Sequence, residues 1–261
     1  MELLEKLLRL TLYTGWIKGE KPVSLLIIGK VESGKTEFVS KFRYNKGIVY
    51  ISDATVHGML KVITPLLDMN KPLKHIIIPD ILNPLSRCQT SARTFIQFFS
   101  SLIEEGICKI QTAYIQLEKP VRCGLITTIT KDKFMDSRTR WTSIGFVSRL
   151  LPVSFQYSNK TVKEILESIY SRDYRNEEVV NINLPENEVE IELSEEMAKK
   201  VKPIVDKLLE VEKAYGFRHQ KQLQTLLMAS ALMNGRNKVN EEDVDNILDI
   251  GRIINLSYNP L

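Results

Sequence analysis

The chain has 261 residues, 43% of them hydrophobic and 26% charged, with a formal net charge of +4; this ordinary globular composition fits one large domain or a main domain with a smaller one, and its mild basicity tolerates an anionic partner without demanding one. Three cysteines, Cys88, Cys108 and Cys123, without CxxC spacing argue against a disulfide framework or a zinc site. No run of 18 apolar residues and no signal-peptide pattern is present, which predicts a soluble, cytoplasmic protein with no membrane partner.

Residues 2–14 read as a short amphipathic helix. SLLIIG (24–29) is a continuous apolar run ended by glycine, the pattern of a buried strand, and KTEFVSKFR (35–43) then reads as a helix. GIVYISDA (47–54), KHIIIPD (74–80) and CGLITTIT (123–130) are further strands, with helices over VHGMLKVITPLL and SARTFIQFFSSLIEEG (91–106) between them. Apolar strands alternating with helices predict a mostly parallel sheet covered on both faces. ICKIQTAYIQLE (107–118) breaks the alternation and reads as a β-hairpin inserted before the 123–130 strand. From Asn159 onward the pattern is helical, apart from an acidic stretch over 175–196 that reads as a surface connection. Asn240, with Asp243 three residues on, reads as the cap of the final helix. The expected organisation is an α/β unit over 1–158 and an all-helical unit over 159–261.

Gly29-Lys30-Val31-Glu32-Ser33-Gly34-Lys35-Thr36 fits G-x-x-x-x-G-K-[ST], between a predicted strand and a predicted helix. In this motif glycines permit a tight loop whose N–H groups face phosphates. Lys35 reaches the β- and γ-phosphates, and Thr36 ligates Mg²⁺. The expected ligands are therefore ATP and Mg²⁺, held by Gly29, Ser33, Gly34, Lys35 and Thr36.

Phosphoryl transfer also needs a carboxylate near the metal and a group that orients water. The strand ending in Pro79-Asp80-Ile81 offers one carboxylate where P-loop ATPases usually carry Asp-Glu. If Asp80 stands on the metal side, Ile81 replaces the base; if Asp80 is the base, Pro79 replaces the metal-side acid. Asp53, Glu104 and Glu105 are candidates for a second carboxylate.

These residues resemble the AAA+ ATPases, in the branch with a β-hairpin before sensor 1, and are most similar to the ATPase modules of MCM replicative helicases over roughly residues 20–255. LIEEGICKIQTAYIQLEKPVRCGLITTIT resembles the helix–hairpin–strand ending in sensor 1, which implies Thr130 at that position and Thr128 as the fallback. SIGFVSRLLPVSF resembles the segment with the arginine finger, which implies that Arg149 reaches a neighbouring subunit's site; Arg138 and Arg140 compete for the role. YGFRHQKQLQTLLMASALMNGRNKVNEEDVDNI resembles the helical lid, with Arg218 at the sensor 2 position, where it would contact the γ-phosphate. The resemblance implies a P-loop AAA+ core with a helical lid, a ring-shaped homo-oligomer such as a hexamer, and ATP-driven helicase-like or remodelling work on DNA in replication. It departs from that family in the missing second carboxylate and in Thr112, which stands at the hairpin tip where a DNA-contacting lysine is usual. Those departures favour, as alternatives, a nucleotide switch that hydrolyses little ATP or a helicase-loader-like scaffold with a replication protein partner.

Overall fold

A computed structural model describes residues 2–53, 55–107, 110–111, 116–117, 120–172, 179–212 and 215–255. Seven strands and eleven α-helices are described. Strands β1 (Leu25–Gly29), β2 (Ile48–Tyr50), β3 (His75–Ile78), β6 (Gly124–Thr130) and β7 (Leu151–Ser154) form one sheet in the order β2-β3-β6-β1-β7, with every pair parallel. The short strands β4 (Ile110–Gln111) and β5 (Gln116–Leu117) pair antiparallel, so the predicted hairpin is present. Its tip, Thr112, and the flanking Lys109 and Lys119 lie outside the described residues.

The period-2 alternation of side chains sorts the strand residues between two cores. Leu25, Ile27, Ile77, Ile126 and Val153 enter one hydrophobic cluster; Leu26, Ile28, Ile76, Ile78, Leu125 and Ile129 enter the other. The first core is closed by α1 (Glu2–Thr14), α2 (Lys35–Ser40), α10 (Phe217–Met233) and α11 (Glu241–Ile250). The second is closed by α3 (Val56–Asp68), α5 (Gln89–Glu104) and α6 (Lys131–Ser143), where the Phe95, Phe98 and Phe99 rings pack at 4.7–5.5 Å. The molecule is thus α/β with a five-stranded parallel sheet and flanking helices, an arrangement compatible with a P-loop core.

Several segments differ from the sequence reading. LPVS forms β7, an edge strand beside β1, although Pro152 argues against a central strand; an edge tolerates the missing N–H. Helix α6 was not apparent in the sequence, because its polar turns bury only Phe134 and Trp141. The acidic 175–196 stretch is more than a connection where it is described. Val180, Ile182, Leu184, Val189, Ile191 and Leu193 all pack on the first core, and the Val180 N–H bonds to the Lys41 carbonyl at 2.9 Å. Helices α8 (Glu195–Lys199) and α9 (Lys202–Glu212) follow it, while α7 (Asn159–Ser171) precedes it and buries none of its residues. The cap of α11 is as expected: Asn240 Oδ1 accepts from the Asp243 N–H and Asp243 Oδ2 accepts from the Asn240 N–H.

Candidate functional site

Strand β1 delivers Gly29 to the carboxyl edge of the sheet, and α2 begins six residues later. The loop between them turns through two left-handed residues, Glu32 (φ 60°) and Gly34 (φ 67°). A Cβ on Gly29 would stand 3.0 Å from Ser33 Oγ and 3.2 Å from Lys35 Cδ, so the close approach of loop and lysine requires glycine there. Lys35 is only 7% exposed. Its Nζ donates to the Lys30 carbonyl at 2.5 Å, to Ser33 Oγ at 3.0 Å and to the Gly29 carbonyl at 3.3 Å. Burial lowers its pKa, and the nearby Asp80 charge works against that shift. The ammonium is thereby centred in the loop. Tyr157, just past β7, donates its hydroxyl to the Ser33 carbonyl at 2.7 Å and holds the loop from outside.

Beside the loop, three segments meet at one carbonyl. Thr128 donates to the Pro79 oxygen at 2.7 Å, and Thr36 Oγ1 lies 3.5 Å from the same oxygen. Thr36 therefore stands against the main chain at Pro79, and Asp80 is the next residue along the chain. Asp80 is half-buried, and its Oδ1 accepts from the Leu82 N–H at 2.9 Å. Ile81 is fully buried in the second core, and its N–H bonds to the Thr128 carbonyl at 3.1 Å. It points away from the loop and cannot mark the place of a water-orienting base.

Thr130 pairs in register with Gly29 at the end of β6 and is partly exposed, whereas Thr128 is buried and committed to Pro79. The strand order explains both placements: β6 runs between β3 and β1, so its end borders the loop. An open groove of about 880 Å³ extends from the loop past Phe38, Phe155 and Tyr157 to the apolar side of α7.

Arg149 and Arg218 lie elsewhere. Both line a cavity of about 340 Å³ with Lys21, Glu104 and Arg122. Lys21 and Arg122 precede β1 and β6, so this cavity sits at the amino edge of the sheet. The eight steps from Lys21 to Gly29 span at most about 26 Å at ~3.3 Å per residue. Arg218 Nε donates to Glu104 Oε2 at 2.9 Å and Nη1 to Ser148 Oγ at 3.2 Å. Arg149 donates to the Gly145 carbonyl, and its Nε is buried without a partner among the described residues. Burial and the neighbouring Arg218 charge lower its pKa, against the pull of Glu104 and Glu105. The structure thus brings Gly29, Ser33, Gly34, Lys35, Thr36, Asp80 and Thr130 together, and it brings Arg149 to Arg218, but it does not bring the arginines to the loop of their own chain.

The candidate second carboxylates are also committed elsewhere. Glu104 belongs to the arginine cavity, and Asp53 pairs with Arg87 at 2.7 Å. Tyr157 is the loop contact that sequence reasoning missed; it is 124 residues from Ser33 in sequence, and no local pattern marks it. No group of three His, Cys, Asp or Glu side chains that could hold an ion occurs among the described residues. Cys88 is exposed and Cys123 buried, and Cys108 lies outside the described residues. Among the described residues no helix is long and apolar enough to cross a membrane.

Compared with protein-family models and with curated proteins, the chain matches none of them.

Proposed function

We propose that the chain binds ATP with Mg²⁺ at the Gly29–Thr36 loop, as an ATPase of the AAA+ type, and that a second copy completes the site with Arg149 and Arg218. The observation that carries this reading is Lys35, centred in a glycine-dependent loop between a buried strand and a helix. The adjoining groove, apolar on one side and of a volume that suits a small ligand, is in keeping with a nucleoside beyond the phosphates.

The oxygen set fits Mg²⁺, which commonly takes one or two protein ligands plus phosphate oxygens and water. The exposed Thr36 hydroxyl would hold it, with Asp80 nearby. When bound, Mg²⁺ would neutralise charge on the β- and γ-phosphates. Thr130, partly exposed and level with Gly29, would meet a γ-phosphate from the side. The two arginines, at the far edge of the sheet, support a head-to-tail ring in which they supply charge to the next copy's phosphates. The unit over 159–261 would act as the helical lid. The DNA-directed, helicase-like part of the proposal rests on the resemblance to replicative helicase modules.

One observation favours a second reading, a nucleotide switch or loader-like scaffold with little hydrolysis: Thr36 faces the Pro79 carbonyl, where an acid pair would put its first carboxylate. A single experiment addresses both. ATP binding and turnover are measured with and without single- and double-stranded DNA. Turnover stimulated by DNA supports the motor; tight binding with negligible turnover supports the switch; no ATP binding overturns both.

A further inference from the structure

The cavity at the amino edge of the sheet carries more positive charge than its own chain neutralises. Five of its lining side chains are cationic, Lys21, Arg122, Arg149, Arg218 and Lys221, and two are carboxylates, Glu20 and Glu104. Glu104 spends its two oxygens on Lys21 and Arg218. Neither Arg122 nor Arg149 pairs with a carboxylate among the described residues; each gives an N–H to a main-chain carbonyl instead, that of Glu105 and that of Gly145. The Glu105 carboxylate attracts Arg149 from outside the lining, and counting it with the other two acids still leaves an excess of two positive charges. Arg149 Nε is buried without a partner among the described residues, and the Arg218 charge works against the protonated form of Arg149. A guanidinium stays protonated regardless, so the fold carries this repulsion until an anion relieves it.

We propose that this cavity binds a small polyphosphate anion of the pyrophosphate type within a single chain, at a site separate from the Gly29–Thr36 loop. Guanidinium forks match phosphate oxygens in geometry as well as in charge. The arginines are also held before any ligand arrives. Gly145 turns over Arg149 with φ +67°, and a Cβ there would stand 3.0 Å from Arg149 Nη1. From the other side, Gln222 Nε2 on α10 donates to the Arg149 carbonyl at 2.9 Å. Such pre-ordering lowers the entropy cost of binding. The volume of about 340 Å³ exceeds what one phosphate fills and lies at the lower end of small-molecule sites, which begin at about 300 Å³. No aromatic side chain lines this cavity, whereas Phe38, Phe155 and Tyr157 line the groove beside the loop. A base would find a ring to stack on in the groove and none here, so the matching ligand is the phosphate chain without a nucleoside. The donors are the same arginines that the proposed function lends to a second copy, so a bound anion would compete with that use; binding itself does not depend on the loop.

The test titrates pyrophosphate by calorimetry into the full chain carrying Lys35→Ala, which weakens the loop as a competing phosphate site, without Mg²⁺ and at an ionic strength fixed with NaCl. The expected result is saturable binding of one pyrophosphate per chain. On the same background Arg149→Gln, and separately Arg122→Gln at an exposed side chain, should each weaken it about tenfold, with denaturant midpoints matching the parent. Arg122→Gln removes charge from the rim without disturbing a packed group, so it decides the matter if Arg149→Gln is poorly folded. No saturable binding to the Lys35→Ala chain, or binding that Arg122→Gln leaves unchanged, would overturn the site. A fluorescent ATP analogue titrated into the wild-type chain separates this site from the nucleotide reading. Analogue bound without pyrophosphate in the Lys35→Ala chain loses the cavity and keeps the loop; pyrophosphate bound there without analogue in the wild type keeps the cavity and loses the loop.

Discussion

Arg218 reaches Glu104 through its Nε at 2.9 Å, and Glu104 meets Lys21 with its other oxygen at 2.5 Å. Burial pushes the Glu104 carboxyl up, but the hydrogen bonds and charges of Lys21 and Arg218 outweigh it and hold the pKa below its ordinary value. The carboxylate therefore stays ionised and fixes Arg218 next to Arg149 at the amino edge of the sheet. An arginine so placed stands away from the Gly29–Thr36 loop of its own chain.

Mixing experiments test that consequence. Lys35→Ala chains lack the loop ammonium, and Arg149→Ala or Arg218→Ala chains lack the donated charge. In a mixed oligomer some interfaces combine an intact loop with intact arginines, so turnover should return in part. Stable mixed oligomers that stay inactive would assign the trans role to neither arginine and move it to Arg138 or Arg140.

Lys35→Ala should weaken ATP binding by about tenfold or more, on the order of 1.4 kcal/mol, because it removes the charge facing the β- and γ-phosphates. Titration with a fluorescent analogue measures this directly. Unchanged affinity would count against the loop as the phosphate site.

Asp80→Asn should lower turnover by ~10²-fold while leaving nucleotide binding nearly intact, since the loop donors do not depend on that carboxylate. Ile81→Glu, by contrast, would not restore an acid pair. The side chain is fully buried among apolar groups, so the variant should be destabilised by several kcal/mol, on the order of the cost of burying an unpaired polar group. Turnover before and after, with denaturant midpoints for both variants, checks the pair of outcomes. A stable Ile81→Glu protein with raised turnover would reverse the assignment of Asp80.

Acid should destabilise the fold through His75. The ring is buried at the start of β3, and Nε2 donates to the Val23 carbonyl at 3.2 Å. Burial pushes its pKa down to about 3, opposed by the Val23 carbonyl and aided by Lys74. The folded state keeps the ring neutral, while the unfolded chain takes a proton near pH 6.5. The folded pKa is thus the lower one, so stability is unaffected above pH 6.5 and falls as pH drops from 6.5 toward 3, by up to about 1.4 kcal/mol per unit. Between pH 6.5 and 5 the loss should be about 1.6 kcal/mol. His75→Gln keeps a donor for Val23 and should flatten that part of the curve; equal slopes in the two proteins would exclude His75 as the cause.

Local pattern alone determined much of this molecule. Leu25–Gly29 and His75–Ile78 are buried at every position because their sheet is covered on both faces, and such largely apolar runs read as buried strands without further help. The tight turn from β1 into α2 with Lys35 folded into it was equally legible, since the glycine spacing and Lys35 act within eight consecutive residues. The Asn240–Asp243 cap, also local, was correctly placed. Tertiary structure decided what depends on distance across the fold. That Thr36 and Thr128 meet at the Pro79 carbonyl turned on the register of β3 against β6. The Ser33–Tyr157 bond joins residues far apart in sequence. That Arg218 stands with Glu104 at the amino edge, away from its own loop, followed from α10 packing against α1 and the first core. A sequence motif specifies side-chain chemistry at a position, but which edge of the sheet that position occupies depends on burying apolar surface contributed by the whole chain.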